Sequence, residues 1–181
     1  MWKAGPGDLA ELLPLQEAYE KEEVVTPLRG FDPESCRAFL ARNLAVELIV
    51  AARLGGDGRE ADRREGGRRE GDRSGGTRGS TRSTTSGGIG SGNSLGRAVG
   101  KAATNARAFT LDQIGGVFVE PEYRGRGIAG AMMAYLLGIT AKEGRGASLF
   151  VKKDNKPALA LYERLGFAPI DDFRASYYLP R

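Results

Sequence analysis

The sequence contains no histidine and only one cysteine in its 181 residues. Without histidine there can be no histidine-based catalytic triad, and a zinc site is unsupported, so we expect no metal. A single cysteine excludes an internal disulfide and suits a reducing cytoplasm, where we expect the protein to reside. We interpret Cys36 as a small core residue rather than a nucleophile, because Phe39 and Leu40 follow it at helical spacing.

Long hydrophobic runs are also missing. No run approaches the ~18 apolar residues of a membrane span, and residues 1–7 contain no apolar signal region. We therefore expect no membrane contact. The hydrophobic content of 40% is still enough for the core of one domain, which we place over residues 1–181.

Residues 55–95 are almost free of apolar side chains and are rich in glycine, arginine, serine and threonine. Such a segment buries too little to offset its ordering entropy, so we predict a disordered insertion. Strands predicted at 46–52 and 97–103 flank it, which makes it a long hairpin loop, and closing such a loop costs little. Its arginines could bind nucleic acid, but acidic residues offset most of them and no aromatic residue can stack on a base, so we favour a passive linker.

The rest of the pattern predicts two helices, a hairpin, a central strand, and then alternating helices and strands. One helix is predicted at 8–23, and a second starts at the capping Asp32 and has Cys36, Phe39, Leu40 and Leu44 on its buried face. A third helix follows the glycines near 127. A fourth runs from a cap at Asp154 or Asn155 to Gly166. The later strands are predicted at 114–119, as a short buried strand at 149–151, and at 175–179.

The most informative stretch is the glycine-rich turn between the central strand and the helix that follows it. Its glycines let the backbone approach a ligand, and the first amides of a helix point outward without internal partners. Arg124 and Arg126 add positive charge. Together these features predict a cradle for an anion, and we expect that anion to be a phosphate.

Three interpretations compete for this turn. It could be a glycine-rich turn without a ligand. It could belong to a dinucleotide-binding fold, because Gly125, Gly127 and Gly130 satisfy G-x-G-x-x-G, but that fold places its first glycine directly after the strand and here Glu120–Arg124 intervene. A Walker loop is excluded, because no Gly-Lys-Ser/Thr follows.

The third interpretation comes from a resemblance. Arg124-x-x-Gly127-x-Ala129 resembles the Arg/Gln-x-x-Gly-x-Gly/Ala signature of the GNAT acetyltransferases, and residues 155–167 resemble the second coenzyme motif of that family, Asn-x-x-Ala-x-x-x-Tyr-x-x-x-Gly-Phe. The resemblance covers 112–167 well, the N-terminal third loosely and 55–95 not at all. It implies an α/β fold with a GNAT-type mixed, mostly antiparallel sheet flanked by helices. Only residues 2–4 are available for the first strand of that fold, which is then stunted or lost.

The resemblance also implies a ligand and a set of site residues. The co-substrate is acetyl-CoA, and the catalytic residue is Tyr162, which protonates the leaving thiolate; its alternative role is that of a core residue. Asn155 supports the coenzyme and is equally compatible with capping its helix. The coenzyme contacts implied are those of Val117, Phe118, Val119, Arg124, Gly125, Arg126, Gly127, Ile128, Ala129, Gly130 and Asn155.

The general base is not identified. The family carries a glutamate at one of two positions, which here hold Gln113 and Phe150. In place of such a glutamate, the base could be Asp112, Glu120 or a water chain, or the amine could arrive already neutral. Glutamates 22 and 23 could face an amine or simply be solvated.

These features lead us to predict an acyltransferase that acetylates a small-molecule or peptide amine by direct attack in a ternary complex. The alternatives are a module that binds coenzyme A without catalysis and, further off, an NAD-dependent oxidoreductase. The acceptor and the oligomeric state are not specified by the sequence.

Overall fold

The computed structural model describes residues 1–24, 30–55 and 95–174. All of these residues except Gly55 and Leu95 belong to one compact unit. The predicted disorder of 55–95 and the predicted strand at 175–179 fall outside the described residues, except for the borders Gly55 and Leu95.

The described strands form one mixed sheet in the order β1-β2-β3-β4-β5. β1 pairs antiparallel with β2, β3 pairs antiparallel with β4, and β4 pairs parallel with β5. The predicted α/β fold with a mostly antiparallel sheet is confirmed, and the stunted first strand is present as a three-residue β1. The strands are β1 (Trp2–Ala4), β2 (Ile49–Gly55), β3 (Leu95–Arg107), β4 (Leu111–Val119) and β5 (Gly146–Leu149).

Four α-helices accompany these strands in the described part of the chain: α1 (Leu9–Tyr19), α2 (Pro33–Val46), α3 (Ile128–Lys142) and α4 (Lys156–Arg164). The helix predicted at 8–23 is α1 together with a π-helical turn, Glu20–Val24, that continues it. Pro14 lies inside α1, where its missing N–H removes one helical hydrogen bond. None of the helices in the described ranges is both long enough and apolar enough to cross a membrane.

The predicted start of α2 is confirmed, but two details of it were wrong. The carboxylate of Asp32 accepts hydrogen bonds from the amides of Glu34 and Ser35, both at 3.2 Å. The helix runs to Val46, so the strand predicted from 46 starts only at Ile49. Phe39 is 48% exposed rather than part of the buried face, because the stripe that faces the core is the narrower one at every fourth position, Cys36, Leu40 and Leu44.

The sheet separates two apolar clusters, and alternate residues of β2 supply them. Ile49 and Ala51 join the cluster that holds the buried side chains of α1 and α2. Leu48, just before β2, and Val50 join the cluster that holds Met132 and other residues of α3. This two-residue period places α1 and α2 on one face and α3 on the other. Cys36 is buried, and burial raises the pKa of its thiol to about 12, in agreement with a core residue.

The ends of β2 and β3 that flank the insertion lie side by side. The Thr104 amide donates to the Leu48 carbonyl at 2.9 Å, and a Cβ built on Gly96 would lie 2.3 Å from the Leu54 carbonyl oxygen, so the two strands run antiparallel. A two-residue turn can therefore join Gly55 to Leu95.

We expect residues 56–94 to be dispensable for folding. Replacing them with Asn-Gly, the dipeptide favoured in two-residue hairpins, should leave the melting temperature within ~8 °C of that of the full chain. Acetyl-CoA titrations of both proteins, by calorimetry, should give the same affinity. A larger fall in melting temperature would mean that the segment stabilises the domain.

Candidate functional site

Strands β4 and β5 are paired over only the first part of β4. The parallel pairing ends at Ile114, which lies opposite Leu149, the last residue of β5. β4 continues to Val119. Among the described residues, no strand therefore covers the β5 side of 115–119, and backbone groups on that side can pair with an extended ligand.

This separation comes with a bend in β4 and with an early end to β5. Gly116 has a φ of 58°, a left-handed conformation that glycine adopts without strain, two residues after the last β4–β5 pair. The buried strand predicted at 149–151 was misplaced: β5 occupies 146–149, and Phe150 is 62% exposed. The sheet therefore opens immediately after Leu149.

The glycine-rich turn follows the open part of β4. Gly125 and Gly127 both have a φ of 75°, and a Cβ built on either would meet no atom within 4 Å. Packing therefore does not require glycine here, whereas the backbone conformation does. Gly127 is the N-cap of α3 and offers no side-chain cap. Within the described ranges, no backbone carbonyl is found to accept from the amides of 125–130, so this helix start can receive an anion.

The two arginines of the turn bond to the protein around it. Arg124 donates through Nε to the Val119 carbonyl at 2.9 Å and through Nη2 to both carboxylate oxygens of Glu22 at 2.8 Å. Arg126 donates to the Glu122 carbonyl at 3.3 Å. The side chain of Arg124 thus links the end of β4 to the π-helical turn.

Helix α4 lies against the start of α3. The side-chain oxygen of Asn155 accepts from the Ala158 amide at 3.2 Å, so Asn155 rather than Asp154 is the cap. A Cβ on Gly130 would lie 3.4 Å from Cδ1 of Leu161, which places the two predicted coenzyme segments in direct contact. Tyr162 packs against the same apolar cluster as three other predicted site residues, Val117, Ile128 and Ala129.

The Tyr162 ring is held by its neighbours. It packs edge-on against Phe167, with ring centroids 5.9 Å apart, and the Phe167 amide donates to the Tyr162 carbonyl at 3.0 Å. Burial raises the pKa of the Tyr162 hydroxyl above its ordinary value of 10.0, and the nearby Tyr19 and Glu23 raise it further. At neutral pH the phenol is therefore protonated and can act as a proton donor.

The model of the acetyltransferase (GNAT) family matches residues 69–167, which is more than half of the chain. The chain belongs to the GNAT acetyltransferase family. The predicted family, a family of acyltransferases, is confirmed. The match begins inside the segment 55–95, so our expectation that the resemblance excludes that whole segment was wrong.

Individual relatives agree with this assignment. A stretch of 52 residues is 42% identical to an uncharacterized N-acetyltransferase of Methanocaldococcus jannaschii; the match covers 28% of this chain and 23% of that protein. A crystal structure of a probable acetyltransferase has a TM-score of 0.64 at 18% identity, covering 99% of this chain and 95% of that one. A predicted acetyltransferase of Clostridium acetobutylicum, solved with acetyl-CoA, has a TM-score of 0.59 at 16% identity; the match covers 97% of this chain and 94% of that one. At such identities the structural likeness shows the fold.

The positions where GNAT proteins carry a base hold no acid, and the nearby acids are engaged. Asp112 is fully buried and accepts from Arg145 at 2.8 Å and from Arg107 at 3.2 Å. Burial alone would raise the pKa of this carboxyl, but these hydrogen bonds outweigh it and hold the pKa below the ordinary 3.8. Glu120 is paired with Arg97. The cationic partners of Asp112 thus make it an unfavourable general base.

A cavity of about 400 Å³ lies between the sheet and the helices of the α1–α2 face. Its lining is about equally polar and apolar and comes from six elements: α1 and the π-helical turn, α2, β2, β3 and β4. Sequence reasoning missed its most unusual residue, Lys101, which is 2% exposed. The available signal was its place in a predicted strand among small residues, Gly100, Ala102 and Ala103, which offer little else to fill the space above the sheet.

Proposed function

We propose that this protein is an N-acetyltransferase that moves the acetyl group of acetyl-CoA to a primary amine by direct attack in a ternary complex. The observation that carries the proposal is the end of β4–β5 pairing at Ile114 and Leu149, which leaves 115–119 open ahead of a glycine turn at a helix start. This arrangement offers extended backbone for a pantetheine arm and unpaired amides for a pyrophosphate.

In this proposal each segment has one task. The amides of 125–130 hold the pyrophosphate, and the backbone of Val117–Val119 pairs with the pantetheine arm. One amide of that strand also donates to the thioester oxygen as it gains charge, an interaction that is typically worth ~3 kcal/mol. Asn155 supports the coenzyme arm from the start of α4. Tyr162 gives its phenolic proton to the departing thiolate.

The acceptor is a small-molecule or peptide amine that enters from the cavity beside β4. Gly116 and Tyr19 line that cavity. Gly116 also belongs to the open part of β4, so an amine in the cavity lies next to the strand that holds the thioester. The lining also offers polar side chains that suit an amine substrate able to form several hydrogen bonds: Gln16, Glu20, Ser35, Asn43 and Asn105.

A second candidate is a module that binds coenzyme A without transfer, and Gln113 and Phe150 in place of the usual carboxylates favour it. Calorimetry with acetyl-CoA and a thiol-release assay over a panel of primary amines distinguish the two. Binding with amine-dependent thiol release supports the transferase, and binding with no release supports the module. No binding at millimolar acetyl-CoA contradicts both.

Replacing Gly127 with alanine should weaken acetyl-CoA binding about tenfold, because a left-handed backbone costs an alanine ~1–2 kcal/mol. The turn would relax and its amides would no longer be preorganised. Gly138→Ala is the matched control: Gly138 lies within α3, and its Cβ would likewise meet no atom within 4 Å. Calorimetry should show unchanged affinity for that control. Equal affinities in all three proteins would mean that the turn does not bind the coenzyme.

A further inference from the structure

Lys101 places a primary amine in the cavity wall beside β4. Its Nζ donates to the Gly116 carbonyl at 3.0 Å and lies 4.6 Å from the centre of the Tyr19 ring. Among the described residues, no carboxylate lies within ion-pairing distance of this nitrogen. The amine is thus buried, and its partners are a carbonyl and an aromatic face.

The position of this amine relative to the open part of β4 is set by Gly116. That residue both accepts from Lys101 and belongs to the stretch of β4 without a β5 partner. Tyr19 connects the same two places, since it lines the cavity and packs edge-on against Phe118, with ring centroids 6.3 Å apart. A thioester bound along 115–119 and the Lys101 amine would therefore both be neighbours of Gly116.

The groups that face Lys101 allow it to lose its charge near neutral pH. Burial lowers the pKa of its amine from 10.5 to about 8, and the charge of Glu20 in the π-helical turn acts in the opposite direction. Cys36 of α2 also faces the amine, as a neutral thiol. The Tyr19 ring of α1 is the remaining titratable neighbour. At pH 7 a larger fraction of Lys101 is therefore neutral than of a lysine with an ordinary pKa.

Lys152, whose charge also acts on Tyr19, has the opposite environment. Its Nζ lies 2.9 Å from a carboxylate oxygen of Glu23, and its side chain is 60% exposed. The hydrogen bond from Lys152 to Glu23 raises the pKa of its amine above 10.5. Lys152 is therefore a matched lysine near the same site that remains an ammonium ion.

We propose that Lys101 is itself an acetyl acceptor, so that the protein acetylates one of its own side chains inside the cavity. This inference rests on the proposed use of acetyl-CoA. The neutral Nζ attacks the thioester carbonyl carbon, an N–C bond forms and the C–S bond breaks. Tyr162 protonates the departing thiolate, and the proton that Nζ loses restores the phenol, giving free coenzyme A and an amide. The product removes a buried positive charge from the cavity and fills part of it, which changes the amines that the cavity admits.

The test uses the full chain with acetyl-CoA alone, followed by digestion and mass spectrometry of the lysine peptides. We expect Lys101 to gain one acetyl group at least tenfold faster than Lys152, at a rate that is independent of protein concentration. That rate should rise with pH through about 8 and then level off, because the neutral fraction of Lys101 does so. Lys101→Arg keeps the charge and should show no acetylation at position 101.

The outcomes separate this inference from the proposed function when acetyl-CoA binding is measured by calorimetry on the same sample. Binding without acetylation of Lys101 overturns the inference and leaves the proposed function intact. No binding overturns both. Acetylation of all lysines in proportion to their exposure also overturns the inference, since it would be uncatalysed surface chemistry.

Discussion

Replacing Asp112 with alanine should lower the free energy of unfolding by about 3 kcal/mol, because Arg145 and Thr140 lose their buried acceptor and the half-buried Arg107 keeps only Glu143. Asp112 has no exposed surface, and its carboxylate accepts from Arg145, Arg107 and Thr140. These contacts tie the start of β4 to α3 and to the turn before β5. Urea unfolding at neutral pH measures the loss, which is a large share of the 5–15 kcal/mol typical of a domain.

The pH dependence of the wild type gives an independent check. Because the pKa of Asp112 is lower in the folded protein than the ordinary 3.8, its stabilisation is fully present above that value. It should be lost as the pH falls through the folded-state pKa, and the alanine variant should lack this contribution. Asp172→Ala is the control, since Asp172 and its partner Lys153 are both largely exposed, and no measurable change is expected. An Asp112→Ala protein as stable as wild type would mean that the arginines find other partners.

Local signals explain why much of the fold could be predicted from the sequence. Asp32 and Asn155 cap their helices through amides only two or three residues away, and Gly166, with a φ of 89°, follows the end of α4. Both coenzyme motifs are equally local, at 124–130 and 155–167. Interactions within a few residues are visible in the sequence itself.

The errors arose where distant contacts decide the structure. β5 ends at Leu149, opposite Ile114, and Gly116 adopts its left-handed backbone two residues further along β4; nothing in the sequence around Phe150 indicates that the pairing ends there. The cavity is assembled from six elements, and the hydrogen bond from Lys101 to Gly116 crosses between two strands. A lysine in a strand pattern is ordinarily a solvated residue, so its burial could not be predicted without the sheet register.

The same reasoning explains why Asp112 was considered as a base. Its place beside Gln113 at the start of the central strand is visible in the sequence, but Arg145 lies 33 residues away from it. The ion pairs with Arg145 and Arg107 change an apparent proton acceptor into a structural anion. Only the folded arrangement distinguishes the two roles.

Replacing Tyr162 with phenylalanine should lower kcat by about 100-fold or more, the usual effect of removing a proton donor, while the affinity for acetyl-CoA stays the same. Phenylalanine keeps the ring that packs against Phe167 and loses only the hydroxyl. Burial keeps the pKa of that hydroxyl above 10.0, so the wild-type donor remains protonated throughout the neutral range. Thiol release with the fastest amine of the panel measures kcat, and calorimetry measures coenzyme affinity.

Tyr135→Phe is the matched control for this experiment. Tyr135 lies on α3 and is 43% exposed, and the cavity lining does not include it, so its loss should leave both kcat and affinity unchanged. Two results would remove Tyr162 from the chemistry. If Tyr162→Phe turns over as fast as wild type, the thiolate takes its proton from elsewhere. If its coenzyme affinity falls in step with its rate, the hydroxyl holds the coenzyme and does not act in the transfer step.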